Sequence, residues 1–205
     1  ANGVMLISDM ATEYGFCSWG GWIWEPLEFA RWTPSDEDRI AYPWTNYLKG
    51  ISKMTLTIDR ITNVNMNKDL LNQYIAELRC ARGFLAFLLY DLYGPIIVAD
   101  LETLKNAEDE IILPRLSEEE THNFIVTELT EAAKVLPYSY DKSSSDYGRF
   151  TKGLCHMVLL KFYMQTKQWD KAITEARELQ KPEYKYGDRQ RGREVSLCQY
   201  LYIRQ

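Results

Sequence analysis

Residues 77–95 run Glu77-Leu78-Arg79-Cys80-Ala81-Arg82-Gly83-Phe84-Leu85-Ala86-Phe87-Leu88-Leu89-Tyr90-Asp91-Leu92-Tyr93-Gly94-Pro95 and read as a helix whose last turn meets a Gly-Pro stop. Leu71, Ile75, Leu78, Leu85, Leu89 and Leu92 recur at helical spacing, which predicts a buried apolar side on a helix from about residue 68 to 93. Gly94 supplies a left-handed cap and Pro95 forbids continuation. Upstream, Ile40, Trp44, Leu48, Ile51, Met54, Ile58 and Ile61 trace a second stripe at steps of three and four, with Pro43 in its first turn and an Asn-rich turn at residues 63–67 after it. Residues 1–39 show little period and read as loop.

Downstream, residues 94–116 read as a long extended connection. Ser117-Glu118-Glu119-Glu120 then forms a capping box that opens a helix to about Leu136, with Ile125, Leu129, Ala132, Ala133 and Leu136 as its buried side. Residues 138–148, with Ser143-Ser144-Ser145, read as a surface loop. Two helices fill residues 150–180, broken near Thr166-Lys167-Gln168. Tyr163, Trp169, Ala172 and Ala176 fall where a tetratricopeptide-type hairpin places its aromatic and small residues. The fold expected is all-α: a tetratricopeptide-type, α-solenoid-like helical scaffold with long irregular loops.

The 205 residues carry a net charge of −5, with no basic face of the kind that displaces counterions from a nucleic acid. No apolar run approaches the roughly 20 residues that span a bilayer. The four cysteines, Cys17, Cys80, Cys155 and Cys198, share no CxxC spacing; Cys80 and Cys155 fall within helices and read as buried free thiols. His122 and His156 are the two histidines and no HExxH is present, so no metal site and no cofactor is expected. Neither a GxSxG elbow, a Walker loop nor a GxGxxG occurs. The acidic runs 36–38 and 118–120 read as a solvated turn and a helix cap, not as a glycosidase pair, which needs two carboxyls across a cleft.

Six Trp, 14 Tyr and 7 Phe are the compositional departure with functional weight, and three tryptophans crowd into Trp19-Gly20-Gly21-Trp22-Ile23-Trp24. Sugar C–H bonds stack on aromatic faces, so Trp19, Trp22 and Trp24, with Tyr14 as an accessory, are the candidate glycan platform. Gly20 and Gly21 let this loop bend, and Trp22 and Trp24 share one side if it is extended. The same letters also fit tryptophans that pin an irregular segment to the helices. Trp32, Trp44 and Trp169 sit at core positions of the pattern. Arg79 and Arg82 read as structural, a guanidinium fork holding loop carbonyls, with Glu77 as partner.

Several segments occur in the order found in the SusD/RagB family of surface glycan-binding lipoproteins, which this chain resembles over roughly residues 5–180. They are Glu77-x-Arg79-x-x-Arg82 through Leu92-Tyr93-Gly94-Pro95, Ser8-Asp9 to Glu13, Trp32-Thr33-Pro34 with Trp44-x-x-Tyr47-x-x-Gly50-Ile51, Pro114-Arg115-x-Ser117-x-x-Glu120 with Leu129 to Pro137, and Gly148-Arg149-Phe150 through Leu154 with Gln168-Trp169-Asp170-Lys171-Ala172. The resemblance implies a non-enzymatic protein, lipid-anchored to the outer face of an outer membrane. It would capture oligosaccharide and pass it to a SusC-like TonB-dependent transporter, without nucleic acid, its membrane contact made only through an N-terminal lipid that precedes Ala1.

Residues 1–180 are thus expected to form the SusD-like N-terminal helical domain of a longer protein. Residues 181–205, with 6 Lys or Arg against 3 acids, form an atypical basic tail. A tetratricopeptide-type adaptor that binds a protein segment is the alternative, and an α-helical glycoside hydrolase a further one.

Overall fold

The computed structural model describes residues 9–13, 15, 25–31, 33, 37–106 and 111–184. All regular structure among the described residues is helical: α1 (Glu25–Glu28), α2 (Glu37–Thr62), α3 (Lys68–Tyr93), α4 (Leu101–Lys105), α5 (Glu118–Val135), α6 (Lys152–Gln165), α7 (Trp169–Leu179) and a closing 3-10 turn, Pro182–Tyr184. They form two compact units. The first holds the described residues up to Asp59 together with Leu85–Thr121, and the second holds Arg60–Phe84 and the described residues from His122 on.

α3 spans the residues its pattern predicts, because both ends carry local signals. Asn67 accepts the backbone N–H of Asp69 at 2.8 Å and of Leu70 at 3.1 Å, and Gly94 closes the helix at φ 71° with its N–H on the Tyr90 carbonyl. Its buried side differs from the leucine stripe. Ala76, Cys80, Gly83, Ala86, Phe87 and Leu89 lie deepest, while Leu71, Ile75, Leu78, Leu85 and Leu92 are only partly covered. Close packing selects the small residues for the deepest positions: a Cβ on Gly83 would stand 2.7 Å from Leu129 Cγ of α5. Similarly, a Cβ on Gly50 of α2 would lie 2.9 Å from Leu85 Cδ1.

α2 starts a turn before the apolar stripe signals, at Glu37, which puts Pro43 inside the helix and not in its first turn. Periodicity marks only turns that carry apolar residues, so a polar first turn escapes it. The capping box at α5 forms as expected: Ser117 N–H and Oγ both donate to Glu120 Oε2, and Glu120 N–H returns to Ser117 Oγ. Ile125, Leu129, Ala132, Ala133 and Leu136 are all buried.

The connection between α3 and α5 is held at both ends. Ile96 is fully buried, its carbonyl accepts the Leu116 N–H at 2.8 Å, and its N–H reaches the buried Thr121 hydroxyl at 3.4 Å. Between these ends Asp100 caps α4 through the Thr103 N–H, and Lys105 pairs with Asp59 at 2.8 Å.

α6 and α7 pack on each other as the expected helical hairpin, turned at Lys167 in the left-handed region (φ 59°) with Gln168 N–H on the Tyr163 carbonyl. Tyr163 and Ala172 are buried, but Trp169 is 57% exposed and is not core. It opens α7, where one side of the first turn faces outward, and helical spacing does not report that. Trp44 is partly buried, and Trp32 lies outside the described residues. Cys80 and Cys155 are buried free thiols.

The arginines of α3 are structural, but their partner is not Glu77. Both reach Glu128 of α5, which is 4% exposed: Arg82 Nε and Nη2 lie 2.8 and 2.6 Å from Oε2, and Arg79 Nη2 lies 3.1 Å from Oε1. Glu77 instead takes the fork of Arg149, both bonds at 2.9 Å, and that guanidinium stacks on Tyr74. Removing a buried partner strands the charges it neutralised, so Glu128→Ala should cost on the order of 3 kcal/mol in urea denaturation. A loss below about 1 kcal/mol would show that solvent already screens the two arginines.

Candidate functional site

Tyr14, Trp19, Trp22 and Trp24, the aromatic platform expected from sequence, lie outside the described residues. Within the first unit a different aromatic constellation is built where α3 ends. A helix C-terminus leaves carbonyls without intrahelical donors. Arg115 supplies them: Nη1 donates to the Tyr93 carbonyl at 2.7 Å and to the Pro95 carbonyl at 3.2 Å. The same guanidinium lies over the Trp44 ring, 4.5 Å from its centroid, and Trp44 meets Tyr93 edge-on at 5.3 Å and 76°. Pinning of carbonyls, expected of Arg79 or Arg82, thus falls to Arg115. The only sequence signal was its place two residues before the capping box.

Trp44 also heads a shallow, open strip along one side of α2. Leu48 and Leu56 extend the apolar strip, Thr45 and Ser52 add hydroxyls, and Lys49 and Lys53 add ammonium donors. An aromatic ring beside hydroxyls and cations suits a flat polyhydroxylated ligand, which presents C–H surface to the ring and oxygens to the donors. A second shallow surface is formed by Leu101, Glu102, Lys105 and Asn106 of α4 and its cap. Neither lining carries two facing carboxylates, the arrangement that glycosidic bond cleavage requires.

Phenols beside the end of α3 are held neutral. Burial holds Tyr93 above its ordinary value, against an opposing backbone hydrogen bond from Trp44. Tyr90 is pushed up to about 12, first by burial and then by its hydrogen bond to Glu118 Oε1 at 3.0 Å. Glu118 is therefore a partner of Tyr90, and Glu120 the cap whose carboxyl the Ser117 bonds hold below its ordinary value. In the second unit His156 Nδ1 sits 2.5 Å from Glu175, and His122 packs edge-on against Phe162. Among the described residues no three His, Cys, Asp or Glu side chains gather as a metal ion would need, and no helix is long and apolar enough to cross a membrane.

A family model of SusD-like proteins, described as starch-binding and associating with the outer membrane, matches residues 6–164. The fold is that of solved SusD-like structures. One from Bacteroides fragilis superposes with a TM-score of 0.72 at 22% identity, over 88% of this chain and 35% of that one. A laminarin-binding SusD-like protein gives 0.71 at 18%, over 86% and 38%. Surface glycan-binding protein A from Bacteroides thetaiotaomicron, in complex with laminarihexaose, gives 0.69 at 19%, over 88% and 38%. The chain thus spans between a third and two fifths of the length of these relatives. Sequence comparison with curated proteins gives no match.

The raised Tyr90 phenol has a signed consequence. Its folded value of about 12 exceeds the ordinary 10.0, so its contribution to stability is complete below pH 10 and is lost as pH climbs from 10 through about 12. Tyr90→Phe removes that titration, and its alkaline unfolding, followed by circular dichroism, should be shallower than the parent's. Identical slopes would place the alkaline loss at other groups.

Proposed function

Because the chain belongs to the SusD-like family, described as starch-binding and associating with the outer membrane, we propose that it captures oligosaccharide at the cell surface and does not cleave it. The match over residues 6–164 carries this reading. The laminarihexaose complex of a structural neighbour supports the ligand class, a glucan of several residues. We propose further that the protein is held by a lipid at the exterior face of the outer membrane and passes its ligand to a SusC-like TonB-dependent transporter. Residues 1–180 then serve as the helical domain, and residues 181–205 as an atypical basic C-terminal tail whose first turn, Pro182–Tyr184, still packs in the second unit.

The proposed contact surface is the segment bearing Trp19, Trp22 and Trp24, with Tyr14 as an accessory. Three indole rings within six residues supply stacking area at low entropic cost, and Gly20 and Gly21 between them restrict the backbone least. The open strip headed by Trp44 offers a second surface of the same chemistry.

Calorimetric titration with laminarihexaose and a starch-type hexaose tests the reading. Trp22→Ala should weaken the bound glucan by on the order of 1 kcal/mol, roughly fivefold, without loss of helicity. If Trp22→Ala binds normally while Trp44→Ala does not, the site belongs on α2. If the folded parent binds neither these nor other plant, host and microbial glycans, capture by this part of the protein is wrong.

A further inference from the structure

Cys80 of α3 and Cys155 of α6 lie 75 positions apart in sequence, both fully buried, with the Cys155 thiol donating to Cys80 Sγ across 3.4 Å. Two free thiols in direct contact inside one unit are not a packing requirement, since an alanine or a serine would fit either position. Cys80 belongs to the small-residue seam of α3 with Ala76 and Gly83, which is why a side chain from α6 can come this close. A disulfide needs its sulfurs at about 2.05 Å, so the pair must approach by about 1.3 Å. A change of rotamer about Cα–Cβ at one cysteine covers such a distance.

We infer that Cys80 and Cys155 are a disulfide staple between α3 and α6, closed by thiol–disulfide exchange when the chain folds in an oxidising compartment. The compartment rests on the outer-membrane reading, because an exported chain meets disulfide oxidants on its way; the staple itself rests on the contact. In the reaction one thiol loses its proton and attacks the disulfide of an oxidant, either oxidised glutathione or a protein disulfide. The resulting mixed disulfide is displaced by the second thiolate. Cys80 and Cys155 together give up two electrons and two protons, and the oxidant leaves as two thiols.

Timing follows from burial. Exchange requires a thiolate and access. The Cys155 thiol bonded to it and complete burial hold the Cys80 thiol well above its ordinary value. The packed pair is therefore inert in both directions: the bond forms before α3 and α6 close over it, and once formed it is shielded from reductant. A staple across 75 positions restricts the unfolded chain far more than a short loop does. The two units' other cysteines, Cys17 and Cys198, lie outside the described residues.

The test uses the full 205-residue chain with Cys17→Ser and Cys198→Ser, denatured, reduced and refolded with either oxidised glutathione or dithiothreitol. Oxidative refolding should remove both remaining thiols, yield a Cys80–Cys155 linked peptide by mass spectrometry, keep the helical circular dichroism spectrum and raise the guanidinium midpoint. Dithiothreitol should open the link within minutes in guanidinium and not within hours in the native protein, and adding Cys80→Ala should abolish the dependence of the midpoint on reductant. Native helicity with both thiols still titrating after oxidative refolding would overturn the staple, as would a linked form that has lost its helicity. No glycan enters the readout, so failure here and failure of the capture reading are separate results.

Discussion

Glu128 is the charge on which the second unit depends. A carboxylate at 4% exposure is tolerated only if donors meet it, and α3 delivers two guanidiniums three residues apart, one on each carboxylate oxygen. That demand fixes the rotation of α3 against α5. The same rotation turns Gly83 toward Leu129, where no side chain can be accommodated, and sends Leu71, Leu78, Leu85 and Leu92 to the flanks while Leu89 stays buried. The hydrophobic seam is therefore arranged around an ion cluster, with Ala76, Cys80, Gly83 and Ala86 taking most of its deepest places beside Phe87 and Leu89.

The first unit has a parallel device of opposite character. Arg115 is exposed, yet its rigid fork serves two carbonyls at the end of α3 while its flat face covers Trp44. A lysine would give one point charge and no stacking plane. This single side chain ties the exit of α3 to an aromatic ring on α2. The end of α3 and the Trp44 ring thus share one residue, and a substitution there alters both.

Much of the helical layout was legible from the chain. Asn67, Gly94 and Pro95 bound α3, Ser117 and Glu120 open α5, and Thr166-Lys167-Gln168 break the hairpin; each acts through hydrogen bonds or steric limits within a few residues of itself. Where the reading erred, the deciding neighbour was remote. Glu77 stands beside Arg79 and Arg82 in sequence but pairs with Arg149, 72 positions away, while Glu128 is 46 positions from Arg82. Trp169 has the spacing of a core residue and faces outward. For the candidate site, the tryptophan-rich segment was legible as chemistry only, whereas nothing in the order of residues announced that Arg115 would reach Trp44.

By itself, then, the sequence specified the helical fold, both ends of α3, the start of α5 and membership of the SusD-like family, because these rest on local periodicity, capping and motif order. Tertiary structure alone decided which acid answers which arginine, which side of α3 is deepest, and that two thiols 75 residues apart touch. Such pairings depend on the rotation and separation of whole helices. Those are set by the sum of all packed surfaces, and no window of neighbouring residues contains them.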